Sequence, residues 1–303
     1  MYDVADGGLG AREGQRRLCA PAKPLPEGRN SSRAPNAKTV WGVRIITKTQ
    51  PAKLSIIIPV FNEAATLEVL LERVRAAAQS ITGIGSFEIV AVDDMSSDDS
   101  PNILREQAAA HPDMLVVLKR VNRGKGKAIQ EGLKYATGNI ILIQDADLEY
   151  DPADYPRLVG PVLAGDAAVV YGSRFLGKAV LMRPLSRLAN LALTGLTNLL
   201  YGTRLSDMET CYKVFRADLV RSIPLHAHRF DFEPEVTAKV LRRGVSIMEV
   251  PISYASRTKD DGKKIGWRDG VLAIFALIRY RVSTKGETAA EVEVLWPHLQ
   301  HSK

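Results

Sequence analysis

The feature that most restricts how this chain can fold is a series of short, unbroken, β-branched apolar runs, each followed by a stretch with helical periodicity. The runs are 54–60 (LSIIIPV), 87–94 (FEIVAVDD), 114–119 (MLVVLK), 139–147 (NIILIQDAD) and 167–174 (AAVVYGSR). A strand that is apolar at every residue, rather than at every second one, is covered on both faces. Asn62 reads as the N-cap of a helix that places Leu67, Leu70, Leu71, Val74 and Ala78 on one face. Segments 97–110, 126–136 and 153–164 are helical by pattern. This alternation predicts an α/β domain with a mainly parallel sheet. No repeat at solenoid spacing is visible.

Composition narrows the classes further. The 303 residues are 46% hydrophobic and 25% charged, which excludes a disordered or collagenous chain. Two cysteines, Cys19 and Cys211, are too few for a zinc cluster and suggest a reducing compartment. The histidines show no convincing metal-ligand spacing. The net charge of +7 points to an anionic partner. Nucleic acid is not that partner, because no helix-turn-helix, zinc finger or aromatic-rich single-strand motif is present. Residues 1–50 read as a solvated basic extension, 54–283 as one domain with halves 54–175 and 176–283, and 284–303 as a tail. After Arg174 the pattern turns mostly helical. In 181–201, Leu181, Leu185, Leu188, Ala192, Leu196 and Leu199 form one stripe, and the apolar run 271–278 is bracketed by Trp267, Arg268, Arg279, Tyr280 and Arg281. Amphipathic helices flanked in this way suit a membrane interface. Neither reaches the roughly 18 uninterrupted apolar residues of a spanning helix.

Ligands of open parallel sheets bind beyond the carboxyl ends of the strands. Three strands end there in polar clusters: Pro59 to Glu63, Asp93-Asp94, and Asp145-Ala146-Asp147-Leu148-Glu149. Three acidic ends on one edge repel unless a cation or donor groups sit among them. Asp145 and Asp147, at i and i+2 past a buried strand, form a hard oxygen set for Mg²⁺ or Mn²⁺, which keep positions open for substrate phosphates. Between these ends, Asn122-Arg123-Gly124-Lys125-Gly126-Lys127 opens a helix with backbone amides and with the charge of Lys125 and Lys127. A metal pair and a phosphate-friendly loop together suggest a nucleoside diphosphate.

LSIIIPVFNE, IVAVDDMSSD, NRGKGKAI, ILIQDADLEY and VVYGSRF, in that order, resemble glycosyltransferase family 2. SDMETCYKVFR, FDFEPEVTAKVLRRG and EVPISYASRTKDDGKKIGWRDG resemble its dolichyl-phosphate mannose synthase-like, polyprenyl-phosphate branch. The resemblance spans about 54–283. It implies the GT-A fold, a Rossmann-like nucleotide-diphospho-sugar transferase architecture. It places the nucleotide at Pro59, Phe61, Glu63, Asp93 and Asp94, and the metal-bound diphosphate at Asp145 and Asp147, with Glu149 where relatives often carry Gln. Arg174 matches an arginine near the reacting phosphates. Arg187, Arg257, Lys263 and Lys264 match the basic acceptor-phosphate clamp. The implied activity is inverting transfer of mannose from GDP-mannose, or glucose from UDP-glucose, onto a polyprenyl or dolichyl phosphate. The alternative is a hydroxyl acceptor on a polysaccharide or protein. Asp207 and Glu209 either order the acceptor site or brace the loop. Relatives often carry a membrane-spanning pair, so the expectation here is peripheral attachment at the cytoplasmic face, direct or through a membrane-protein partner.

Overall fold

The computed structural model describes residues 51–177, 182–229, 231–256 and 267–282. The strands are β1 (Ala52–Val60), β2 (Ile84–Asp93), β3 (Met114–Leu118), β4 (Ile140–Ile143), β5 (Val169–Ser173), β6 (Lys213–Arg216) and β7 (Met248–Pro251). The helices are α1 (Ala64–Gln79), α2 (Ser100–Ala110), α3 (Lys125–Tyr135), α4 (Tyr155–Ala164), α5 (Pro184–Tyr201), α6 (Ala217–Ser222), α7 (Phe232–Arg242) and α8 (Trp267–Val282). A 3-10 turn at Pro152–Asp154 leads into α4.

The seven strands form one sheet in the order β3-β2-β1-β4-β6-β5-β7. It is parallel except at β6, which runs antiparallel to β4 and β5. Leu54, Ile56, Ile57 and Ile58 of β1 are wholly buried, as the unbroken apolar run requires of a central strand. The main core lies between the sheet and the helices that cover it.

Two details depart from the sequence reading. Asn62 is not the N-cap of α1: it adopts φ 52° outside the helix, and its Oδ1 accepts the Ser97 N–H at 2.8 Å. The first helical amide, that of Ala64, is instead satisfied by Asp98 Oδ2 at 2.9 Å. The second half is mostly helical, as its pattern predicts, but two short strands that the sequence did not mark, β6 and β7, also join the sheet. β6 matters for the site. Register pairs Lys213 with Ile143 at the carboxyl end of β4, so an antiparallel strand begins where its parallel neighbours end. Residues 207–211 are thereby delivered to the same edge as Asp145.

Helix α5 is amphipathic with its polarity inverted. Thr194 and Thr197 are buried, whereas Leu185, Leu188 and Leu199 are 79%, 65% and 81% exposed. The stripe expected from sequence is outward-facing at these positions, but Leu196 turns inward onto a small cluster of Leu205, Met208 and Leu277. Helix α8 packs on α5 and likewise buries Ala273, Ala276 and Leu277 while presenting Leu272, Phe275 and Ile278.

A carboxylate and cation site at the carboxyl edge of the sheet

The parallel register aligns the strand ends: Val60 pairs with Asp93, and Ile57 with Ile143. The segments carrying Phe61 and Glu63, Asp94, and Asp145 to Glu149 therefore leave the sheet along one edge. Thr66 ties two of them together, its hydroxyl donating to Ala146 O at 3.2 Å and to Glu63 Oε2 at 3.4 Å.

Donor groups separate the acidic ends. Asp94 is buried and pairs with Lys119 Nζ, while it accepts the Gly124 N–H at 2.5 Å and the Arg123 N–H at 3.1 Å. It fastens the basic loop to the end of β2. Its neighbour Asp93 accepts the Ser96 N–H through Oδ2 at 3.1 Å, whereas buried Oδ1 has no hydrogen-bond partner among the described residues. A buried carboxylate oxygen without a donor is costly, and a ligand N–H or O–H would satisfy it. Pro59 and Phe61 leave β1 beside this pair, and Phe61 is partly exposed.

Lys125, the first residue of α3, bridges Asp145 Oδ1 at 2.7 Å and Glu233 Oε1 at 2.8 Å. Burial opposes its charge, but the two carboxylates outweigh that, and the ammonium titrates above its ordinary range. Lys127 turns away, donating to Gln130 Oε1 at 2.8 Å. Gly124, at φ 86°, permits the sharp entry into α3. A Cβ there would lie 2.6 Å from His228 O, so the close docking of this loop on 228–229 also requires glycine.

The segment carrying Asp147 is braced from below. Gln144 donates to Asp145 O at 2.9 Å and accepts the hydroxyls of Tyr155 and Tyr212 at 2.7 and 2.8 Å. Asp147 Oδ1 accepts the Glu149 N–H at 3.1 Å. Glu149 accepts the Tyr254 hydroxyl at 2.9 Å, and its carbonyl accepts the Ala255 N–H at 2.9 Å. The carboxylates of Asp145 and Asp147 are hard oxygen donors, as Mg²⁺ or Mn²⁺ prefers. Among the described residues no three His, Cys, Asp or Glu side chains form a ready cation cluster. A cation held by these two carboxylates would have to complete its shell with substrate oxygens and water.

Arg174 is buried and gripped by Asp207, with Nε–Oδ2 and Nη2–Oδ1 distances of 2.7 Å and the Arg174 N–H on Oδ2 at 2.9 Å. Its guanidinium also lies 5.2 Å from the Tyr254 ring centroid. Glu249 of β7 in turn accepts the N–H groups of Ser206 and Asp207 at 2.7 and 2.9 Å. Burial, reinforced by Glu233, raises the pKa of Glu209, and burial lowers that of Lys213. Buried Cys211 is held as a thiol, first by desolvation and then by Asp145. Arg187 is exposed on α5. Arg257, Lys263 and Lys264 lie outside the described residues, as do the 1–50 extension and the 284–303 tail.

Gln144, Tyr155, Tyr212 and Glu233 were not singled out by sequence reasoning. Glu233 carried the only usable signal, an acidic residue at the start of an amphipathic helix.

A mixed seven-stranded sheet with an acidic carboxyl edge and one antiparallel insertion is the GT-A architecture. The profile described as "Glycosyl transferase family 2" matches residues 55–223, and the chain belongs to that family. It is 35% identical over 213 residues to the undecaprenyl-phosphate 4-deoxy-4-formamido-L-arabinose transferase of Edwardsiella ictaluri, covering 69% of this chain and 62% of that one. A transferase of the same name from Klebsiella pneumoniae is 31% identical over 221 residues, covering 72% and 64%. The chain therefore spans less than two thirds of the length of these relatives. Among solved structures, glucosyl-3-phosphoglycerate synthase from Mycobacterium tuberculosis, in complex with Mn²⁺, UDP and glucosyl-3-phosphoglycerate, superposes with a TM-score of 0.57 at 22% identity. That match covers 76% of this chain and 80% of that one. No described helix is long and apolar enough to cross a membrane.

Proposed function

We propose that this protein transfers a sugar from a nucleoside diphosphate to the phosphate of a polyprenyl lipid at a membrane surface. The observation that carries this reading is the Asp145–Asp147 carboxylate pair beside Lys125, at the strand edge of a family 2 chain whose relatives act on undecaprenyl phosphate. Asp145 and Asp147, with Glu149 alongside, would hold a divalent cation, whose chemistry would be to offset the charge of the leaving diphosphate. Pro59, Phe61, Glu63, Asp93 and Asp94 form the nucleoside end, where the Asp93 Oδ1 awaits a donor. Lys125 brings positive charge to the diphosphate end, whereas Lys127, expected there from sequence, turns away onto Gln130.

An acceptor phosphate oxygen attacks the anomeric carbon. The bond from that carbon to the donor's diphosphate oxygen breaks, the nucleoside diphosphate leaves with the electron pair, and the configuration inverts. A phosphate monoester has its second pKa near about 6, so it attacks as an anion and needs no general base. Arg187, Arg257, Lys263 and Lys264 are the acceptor clamp. The described chain reaches Ala255, whose N–H bonds to the Glu149 carbonyl, shortly before Arg257 in the sequence. Buried Arg174, held by Asp207 and 5.2 Å from the Tyr254 ring centroid, is assigned to the reacting phosphates. The outward leucines of α5 and α8 seat the protein on the bilayer.

The test is a donor panel with Mn²⁺ and undecaprenyl phosphate, read by mass spectrometry of the lipid product. It includes UDP-glucose, GDP-mannose and a nucleotide-linked 4-deoxy-4-formamido-L-arabinose. One donor should yield a glycosylated lipid phosphate, and Asp147→Asn, nearly isosteric, should lose at least about 100-fold in turnover while keeping the fold. Product only on hydroxyl acceptors, or full activity of that variant, would overturn the reading.

A further inference from the structure

Lys125 is unusual among the cations of the site because it is fixed on the proposed metal carboxylate itself. Its backbone is set by a rigid frame. The Gly126 N–H donates to Arg229 O at 3.0 Å, and the Lys127 N–H to His228 O at 3.2 Å. The 226–229 segment is fastened in turn to α7, whose Asp231 and Glu235 carboxylates accept its N–H groups at 2.5 to 2.9 Å. The start of α3 is therefore docked on the start of α7. Lys125 and Glu233 come from these two docked ends, and the ammonium spans from Glu233 to Asp145.

We infer that Lys125 is an internal counter-ion that competes with the divalent cation for Asp145 and makes metal binding depend on the nucleotide diphosphate. This rests on the metal and nucleotide reading above. With no diphosphate present, a divalent cation arriving at Asp145 meets the ammonium already 2.7 Å from Oδ1, and like charges at such separations repel strongly in a partly buried site. Glu233 offers the lysine a second anchor, so the ammonium can release Asp145 without losing every partner. An incoming diphosphate brings negative charge for both cations. Metal alone should thus bind weakly, and metal with nucleotide tightly. By linkage, the metal must raise nucleotide affinity by the same factor. Lys125 here is a positioning residue: it sets the order and coupling of binding.

The experiment measures Mn²⁺ affinity by electron paramagnetic resonance titration, with and without saturating UDP, for the full chain and two variants. For the native protein UDP should tighten Mn²⁺ binding by about tenfold or more, within the usual range of coupling between sites. Lys125→Met removes the competitor, so Mn²⁺ alone should bind more tightly than to the native protein and the enhancement by UDP should shrink. Glu233→Gln removes the second anchor, leaves the ammonium on Asp145 alone, and should weaken Mn²⁺ binding in the absence of UDP. Circular dichroism melts establish that each variant is folded. If the native protein binds Mn²⁺ with UDP but Lys125→Met shows unchanged or weaker binding of Mn²⁺ alone, the competition is overturned while the metal reading stands. If the native protein binds no Mn²⁺ under either condition, both fall. Unfolding of Lys125→Met leaves Glu233→Gln to decide, and stronger or unchanged metal binding there overturns the inference.

Discussion

Glu88 shows how much one side chain can fasten. It sits on β2, accepts the Ser55 hydroxyl of β1 and the Thr137 N–H before β4 at 2.5 Å each, and pairs with Lys53 at 2.6 Å. Burial works against its charge, yet the Lys53, Ser55 and Thr137 hydrogen bonds prevail and bring its pKa from the ordinary 4.5 to about 2. A depressed carboxylate stabilises the fold fully above its unfolded pKa and progressively less as pH falls through the folded one. The window is thus about pH 4.5 down to about 2. After discounting for partial exposure, the contribution is on the order of 2 kcal/mol. Glu88→Gln should lose about that much stability at pH 7 and flatten the acid limb of the stability curve. Urea unfolding at pH 7, 4.5 and 3 measures both, and an unchanged acid slope in the variant would contradict the assignment. Sequence reading passed over Glu88 but reached Asp145, Asp147 and Lys125. The difference is physical: those three sit at strand and helix ends, where placement beyond a buried strand beside other polar ends points to chemistry, whereas Glu88 gains its meaning from Thr137, 49 residues away.

At the scale of elements, the apolar runs of the central strands were legible because burial on both faces leaves β1 and β4 almost free of polar residues. Edge strand β3 was legible from its apolar run although Leu115 and Leu118 are 41% and 36% exposed, so that run is not covered on both faces. β6 and β7 were not legible. Lys-Val-Phe-Arg and Met-Glu-Val-Pro carry two or three apolar residues each, and only pairing with distant strands makes them extended. Their insertion nonetheless builds the site, since β6 delivers Asp207 and β7 supplies the Glu249 that holds it. Helix α3 gives a sharper test of packing. A Cβ on Gly132 would lie 2.6 Å from Ile57 Cγ2, on a wholly buried, β-branched side chain with little freedom to turn aside. Alanine gains about 1 kcal/mol in helix propensity over glycine. Overpacking a close core contact costs about 1–3 kcal/mol. The clash should win, so Gly132→Ala should lower stability by about 1 kcal/mol in chemical denaturation. A stabilised variant would mean that α3 can lift from β1 more easily than its packing implies.

For the whole molecule, the proposed reaction asks a net positive protein to bring an anionic donor and an anionic lipid together at an edge that is itself acidic. Lysines and backbone amides already quiet much of that edge: Lys119 and Lys125 take Asp94 and Asp145, and amides take further oxygens of Asp94, Asp93 and Asp147. On the proposed reading the acceptor lies in a bilayer, and the exposed face of helix α5 is the surface proposed to meet it. Thr194 and Thr197 face the protein while Leu185, Leu188, Leu191 and Leu199 are exposed, and Phe275 of α8 is 67% exposed. Burying a leucine side chain yields about 1.5–3 kcal/mol, so a few of them, with the arginines flanking α5 and α8 on anionic lipid, suffice for reversible attachment. Sequence periodicity alone placed Leu188 and Leu196 on one stripe, and the structure separates them into an exposed and a core-side position. Leu188→Glu should therefore stay folded, lose sedimentation with anionic vesicles, and convert vesicle-borne polyprenyl phosphate at least about tenfold more slowly, because charge on that face opposes insertion. The same variant should process a short-chain, detergent-dispersed lipid phosphate at the native rate. Leu196→Glu should instead unfold the α5–α8 corner, since it buries a carboxylate against Leu205 and Leu277. Equal vesicle binding by the native protein and folded Leu188→Glu would remove the membrane from this face. Equal losses on both lipid substrates would place Leu188 in the catalytic site rather than on the bilayer.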